Sequence, residues 1–227
     1  MRPSKFMSML SYLKEVPIES ISSEYNEELN IILKNGRYQL CTPRAIYSYE
    51  DKYDNFTEVF KTVNLDATNL TDILLLGFGL GSIPYMLEHK FGKRFSYTAV
   101  EIDEAVIHLA SKYVIGELKS DIEIVQADAY NYAFLSSSKY DMICIDVFVD
   151  DKIPESFYEE EFLDAIDDIL APKGYVIFNH LALTTEDKKI ATEYYEKIFK
   201  KIFPKATFLV TGGNMMMISD KYKRVSP

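Results

Sequence analysis

The sequence predicts an α/β chain built on a mostly parallel sheet of seven strands that ends in an antiparallel hairpin. Three observations carry this. From residue 72 onward, β-rich runs alternate with helical apolar stripes, the pattern left by crossover connections with helices on both faces of a sheet. Near the end, "ATFLV" (206–210) and "NMMMIS" (214–219) are separated only by Thr211, Gly212 and Gly213, and three residues cannot hold a crossover. The length of 227 residues suits one α/β domain with a small appendage.

The elements follow in order. "DILLLG" (72–77) is a buried strand running into a glycine-rich turn, and Ile83, Met86, Leu87 and Phe91 then mark a helical face. "SYTAVE" (96–101) is the second strand, followed by a stripe of Val106, Ile107, Ala110, Tyr113 and Val114. "IEIVQ" (122–126) and "YDMICID" (140–146) are the third and fourth strands, and "NYAFLSSS" between them is too brief to assign as a helix. Pro154 opens the next helix, where its missing N–H costs nothing. That helix presents Phe162, Leu163, Ile166, Ile169 and Leu170 and stops at "PKG". "GYVIFN" (174–179) is the fifth strand, and Thr184 with Asp187 forms a capping box for a helix reaching about Ile202.

Composition narrows the function classes. The apolar fraction of 48% supports a sizeable core, and the net charge of −10 opposes a nucleic-acid backbone or an anionic membrane as partner. The one basic cluster, Lys221, Lys223 and Arg224, reads as a solvated tail. Cys41 and Cys144 lack metal-ligand spacing and read as reduced thiols. The opening "MRPSKFMSMLSYLKEV" has no signal-peptide pattern, and no run approaches the ~18 apolar residues of a membrane span. A cytoplasmic protein acting on a small molecule is expected, with no metal.

Strand ends carry the chemistry. In an open parallel sheet, ligands bind beyond the carboxyl ends of the strands. The turn Gly77, Phe78, Gly79, Gly81 lets backbone N–H groups approach a ligand. Glu101, followed by Ile102, lies 20 residues after Gly81 at the end of the next strand, placed to accept both hydroxyls of a ribose. Asp128 and Ala129 follow the third strand, where a carboxylate takes an adenine amino group, and Asp146 closes the fourth. Together these predict an adenosine-type cofactor. Asp146 is the first candidate for a base, with Asp150 and His180 next; His180 is expected on the ligand edge of the sheet, and Phe148 and Tyr158 as walls of the pocket.

These blocks resemble the spermidine synthase family, the polyamine aminopropyltransferases, which have the class I S-adenosylmethionine-dependent methyltransferase fold. "LLLGFGLGS", "AVEIDE", "QADAY", "YDMICID" and "FYEEEFLDAIDDILAPKGYVIFN" stand in the family's order, and the terminal hairpin suits its Rossmann-like sheet. "SEYN" (23–26) and "NGRYQ" (35–39) resemble the family's small amino-terminal β-region. The resemblance implies a β-region with linker over residues 1–60 and a donor-binding domain over 61–227. It places Gln39 on the cofactor and implies a homodimer formed through the amino-terminal region.

Two departures bear on the reaction. The family's first loop carries an aspartate where this chain has Leu80, and its second acceptor-site aspartate is replaced by Val149 in "DVFVDDKIP". An aspartate near the amino-acid tail would favour decarboxylated S-adenosylmethionine over the intact molecule, and Leu80 removes that bias. Three readings follow: methyl transfer from S-adenosylmethionine to a small molecule, divergent aminopropyl transfer from decarboxylated S-adenosylmethionine, and a non-catalytic cofactor-binding module.

Overall fold

The computed structural model describes residues 3–63, 65–66 and 70–219, so the basic tail at 221–224 lies outside the described residues. A short helix α1 (Lys5–Leu10) leads into an antiparallel sheet of β1 (Val16–Ile21), β2 (Leu29–Lys34), β3 (Arg37–Cys41) and β4 (Ile46–Ser48), in that order. Leu29, Ile31 and Leu33 of β2 alternate inward and are fully buried, the two-residue period of a half-covered strand. The β2–β3 turn is Asn35-Gly36, both at positive φ (50° and 74°), the pair that a two-residue hairpin demands. Both edges of this sheet are irregular: β1 shifts register between Pro17 and Glu19, and β4 has three residues.

Helix α2 (Asp54–Thr62) follows, and the division expected at residue 60 falls within it. Then come β5 (Asp72–Leu76), α3 (Ser82–His89), β6 (Ser96–Glu101), α4 (Glu104–Tyr113), β7 (Asp121–Gln126), α5 (Ala129–Leu135), β8 (Tyr140–Ile145), α6 (Glu160–Asp168) and β9 (Leu170–Leu181). The chain ends with α7 (Thr185–Tyr194), a π-helical turn at Tyr195–Phe199, α8 (Lys200–Ile202), β10 (Thr207–Thr211) and β11 (Asn214–Ile218). The strand order is β10-β11-β9-β8-β5-β6-β7, with β5 to β9 parallel and β11 antiparallel to both neighbours. The expected seven-stranded sheet and its terminal hairpin are therefore present. Ile73 and Leu75 of β5 face one apolar cluster, Leu74 and Leu76 the other, so the central strand is buried on both sides.

Several boundaries differ from expectation. Residues 129–135 do form a helix, started by Asp128, whose carboxylate accepts the Asn131 N–H at 2.8 Å. Pro154 does not open α6; it precedes a 3₁₀ turn, and α6 begins at Glu160. The "PKG" stretch lies inside β9, which pairs with β8 from Leu170 across an irregularity in register. The capping box at Thr184 and Asp187 is formed, and helical backbone continues to Ile202 through the π turn. Cys41 and Cys144 are free thiols. Among the described residues no helix is long and apolar enough to cross a membrane.

Candidate donor and acceptor site

The strand order reverses at β5, whose neighbours β6 and β8 lead away on opposite sides. A crevice opens at such a point beyond the strand ends. Here it is a cavity of about 470 Å³, roofed by the amino-terminal sheet. Gly79, Glu101, Ile102, Asp146 and Asp150 line it.

The glycines serve the crevice by letting backbones meet. A Cβ on Gly77 (φ 85°) would sit 2.2 Å from the Asp146 carbonyl oxygen, so this glycine lets the first loop close against the end of β8. A Cβ on Gly79 would press on the Tyr47 carbonyl at 3.1 Å, so that glycine admits the roof. Gly81, at φ 81°, starts α3 and lies under the Phe78 ring. Phe78 is buried and gives the site its backbone: its N–H and that of Gly79 donate to Glu101 Oε2 at 3.1 and 3.2 Å. Asp103 N donates to Glu101 Oε1 at 3.1 Å. A carboxylate has about four acceptor sites, so Glu101 keeps capacity for a ribose hydroxyl. Burial raises its pKa, and the three N–H groups oppose that shift.

Asp146 stands across the cavity. Its Oδ1 accepts the Asn179 amide at 2.8 Å and the Tyr53 hydroxyl at 3.2 Å. Burial pushes the carboxyl up to about 7, against those two hydrogen bonds and with help from the negative charge of Glu101. A carboxylate with that value is divided between acid and base forms near neutrality, as proton transfer requires.

Asp150 is engaged elsewhere. The Thr42 hydroxyl donates to it at 2.5 Å and Arg44 forms an ion pair with it, so its pKa is lowered. Its own N–H donates to the Tyr47 hydroxyl, which in turn donates to Asn26 Oδ1 at 2.7 Å. Asn26 donates to Asp103 Oδ2 at 2.9 Å, and Ser23 to the same oxygen at 2.5 Å. The roof is thus tied to both sides of the crevice. These contacts anchor the roof at Asp150, and a carboxylate held ionised by the Thr42 hydroxyl and Arg44 is a weak base.

Of the other expected residues, Gln39, Asp128, Ala129, Tyr158 and His180 lie off the cavity wall, as do Gly77, Phe78 and Gly81 of the first loop. Gln39 is buried within β3, its Oε1 without a hydrogen bond, and the roof reaches the cavity through β4 instead, with Ile46 and Tyr47. His180 falls inside β9, paired with Met215, because the strand runs to Leu181. It is buried among Phe178, Tyr158 and Tyr194, and burial lowers its pKa, so the base role expected of it has no access to the cavity. Asp128 caps α5 and Ala129 opens that helix, both away from the described cavity. Phe148 lines the cavity; Tyr158 packs on His180 instead. Leu80 is buried in the apolar core, whereas Val149 is exposed on the cavity wall.

The sequence reading missed Tyr47, Tyr53, Arg44 and Asn179. Charge on the lining is one-sided: Asp54, Glu101, Asp103, Asp146, Asp150 and Asp151 face Arg44 and Lys52. Among the described residues no cluster of three or more His, Cys, Asp or Glu side chains is arranged to hold a metal ion.

A seven-stranded sheet with this order and crevice defines a Rossmann-like, methyltransferase-type fold. The spermine/spermidine synthase domain matches residues 57–223, and the chain belongs to that family. A probable polyamine aminopropyl transferase of Bifidobacterium longum is 31% identical over 113 residues, 50% of this chain and 25% of the relative. The chain spans less than half the length of the curated relatives it matches, 25% and 44% in the first two. Among solved structures, human methyltransferase-like protein 13 in complex with SAH is 27% identical, with a TM-score of 0.55 over 66% of this chain and 72% of that one. Spermidine synthase from Thermotoga maritima has a TM-score of 0.68 over 89% and 72%, and at 21% identity it is a likeness of fold.

Proposed function

We propose that the chain is an S-adenosyl-donor transferase whose acceptor is an amine, and that the group moved is methyl. The observation that carries this reading is the cavity itself, lined by Gly79 and Glu101 together with Asp146. The acid-rich lining suits a cationic acceptor. Methyl transfer is favoured over aminopropyl transfer by Leu80 and Val149, which leave two apolar side chains where the family's synthases carry aspartates.

S-adenosylmethionine supplies a methyl carbon made electrophilic by its sulfonium. Glu101 is the group for a ribose hydroxyl, and the aromatic side chains of Tyr47 and Phe148 on the lining suit a sulfonium cation. Asp146 takes the proton from the acceptor ammonium, freeing the nitrogen lone pair for attack. The remaining contribution is alignment and exclusion of water. Aminopropyl transfer from decarboxylated S-adenosylmethionine is the second reading, supported by the similarity to a probable polyamine aminopropyl transferase. Pairing of two copies through the amino-terminal region belongs to the proposal too. It is supported by the exposed Phe6, Met9, Tyr12 and Leu13, and light scattering tests it.

The test is calorimetric titration with S-adenosylmethionine, its decarboxylated form and methylthioadenosine, followed by product assays with diamines and a lysine peptide. Binding of the intact donor and release of S-adenosylhomocysteine are expected. Release of methylthioadenosine would replace this reading by the second, and donor binding without either product would leave a binding module.

A further inference from the structure

Asn179 is fully buried, yet it sits on β9 at the strand's ligand end and touches the one carboxylate the reaction needs. Its neighbours settle which way its amide points. Asn214, at the start of β11, donates from Nδ2 to Asn179 Oδ1 at 2.8 Å, and Asn179 in turn donates from Nδ2 to Asp146 Oδ1 at 2.8 Å. An ionised carboxylate accepts only, so a donor must face it, and Asn214 supplies the donor that occupies the amide's other end. The polarity of the chain is consistent from β11 through β9 to β8. Tyr53, at the start of α2, donates to the same oxygen at 3.2 Å. Both donors converge on Oδ1, and the Asp146 carboxylate borders the cavity.

We infer that Asn179 is a positioning residue for proton transfer: with Asn214 behind it and Tyr53 beside it, it holds Asp146 by one oxygen so that the other is presented to the acceptor amine. The inference rests on the reading of Asp146 as the base. A buried amide that merely filled space would be replaceable by an isostere, whereas a donor to a carboxylate is not. Asn179→Asp keeps the shape and turns the donor into a second acid.

The charged and titratable groups facing Asp146 are few. Tyr53 approaches from α2, Glu101 from the end of β6, and Cys144 lies on its own strand. Glu101 opposes ionisation of Asp146, and the hydroxyl and the amide favour it. Of the other charged residues lining the cavity, Arg44 and Asp150 are engaged with each other, and Lys52 and Asp54 flank Tyr53 in the chain. Losing one donor therefore moves the balance toward the protonated acid.

The experiment reads Asp146 directly. The full chain labelled with ¹³C-carboxyl aspartate is titrated by NMR, the Asp146 signal being assigned by its loss in Asp146→Asn. The native signal should titrate near 7. Asn179→Asp should move it upward by about one pH unit or more, the equivalent of losing a hydrogen bond to an ionised group. Asn214→Ala and Tyr53→Phe should move it upward by less, and either serves if Asn179→Asp fails to fold. An unchanged midpoint in the folded Asn179→Asp chain, or in both of the others, would overturn the inference. Failure of the parent reading shows separately, as S-adenosylmethionine turnover that survives Asp146→Asn.

Discussion

Replacing Gly77 by alanine introduces one methyl group at the point where the first loop meets the end of β8. The added Cβ would lie 2.2 Å from the Asp146 carbonyl oxygen and 2.8 Å from its carbon. Both obstructing atoms are backbone, so no side chain can swing away. The segments must part by roughly 1 Å to reach ordinary contact. Each is tethered: Gly77 N donates to Val100 O at 3.0 Å and Asp146 N to Leu76 O at 2.8 Å. Separation therefore strains or breaks a buried backbone hydrogen bond, at about 1–3 kcal/mol. Alanine at φ 85° adds about 1–2 kcal/mol. The sum, about 2–5 kcal/mol, corresponds to a fall in Tm of about 5–15 °C for a chain of this size. Gly92→Ala is the control, because Gly92 also has positive φ (66°) but nothing within 4 Å of an added Cβ. Thermal denaturation of the two variants side by side separates the conformational cost from the collision. Equal destabilisation by both would refute the close-approach argument, and native donor affinity in Gly77→Ala would detach that contact from the site.

Further expectations concern charge. Glu101→Ala should weaken S-adenosylmethionine binding by about 1.5–3 kcal/mol, measured by calorimetry, the loss expected for hydrogen bonds to a charged acceptor. Transfer should rise as pH passes through about 7, because Asp146 acts only when ionised; a flat pH–rate profile between 6 and 8 would contradict this. The same raised value has a consequence for stability. The folded carboxyl keeps its proton to about 7 while the unfolded one releases it near 3.8, so stability falls as pH rises between them, and Asp146→Asn should reduce that slope in urea titrations. The native chain should not make spermidine from putrescine at an enzymatic rate. Val149→Asp alone is the sound gain-of-binding test, because Leu80 is buried and an aspartate there would be an unpaired charge in the core. Arg44→Ala should speed amide exchange at Asp150 with little change in Tm, since Arg44 is largely exposed.

Much of the main sheet was legible because its signals are local. The hairpin followed from a connection too short for anything else, and Glu101 and Asp146 from strands that end on an acid. The failures have physical reasons. Helix α5 buries little beyond Ala129 and Ala133, too short a stripe to read. His180 was misplaced because β9 gains two further residues by pairing with β11, a long-range effect that no local pattern records. Asn35-Gly36 did carry a hairpin signal, and it would have put Gln39 inside a strand. Tyr47 and Tyr53 reach the crevice, and Asn179 the Asp146 carboxylate behind it, from three separate elements, and nothing in their immediate sequence distinguishes them from core residues.

The roof also bears on how the chain is made. Its anchor joins Thr42 to Asp150 across 108 residues, and Tyr47 to the same residue across 103. A ribosome adding roughly 5–20 residues per second delivers Asp150 about 5–20 s after Thr42. A four-stranded sheet formed within that interval would stand without its latch, its free edges open to pairing with other nascent chains. Those edges are poor templates. One is a strand of three residues, and the other carries Pro17 and a register break. Such irregular edges would guard an early-formed sheet until the loop that locks it has been synthesised.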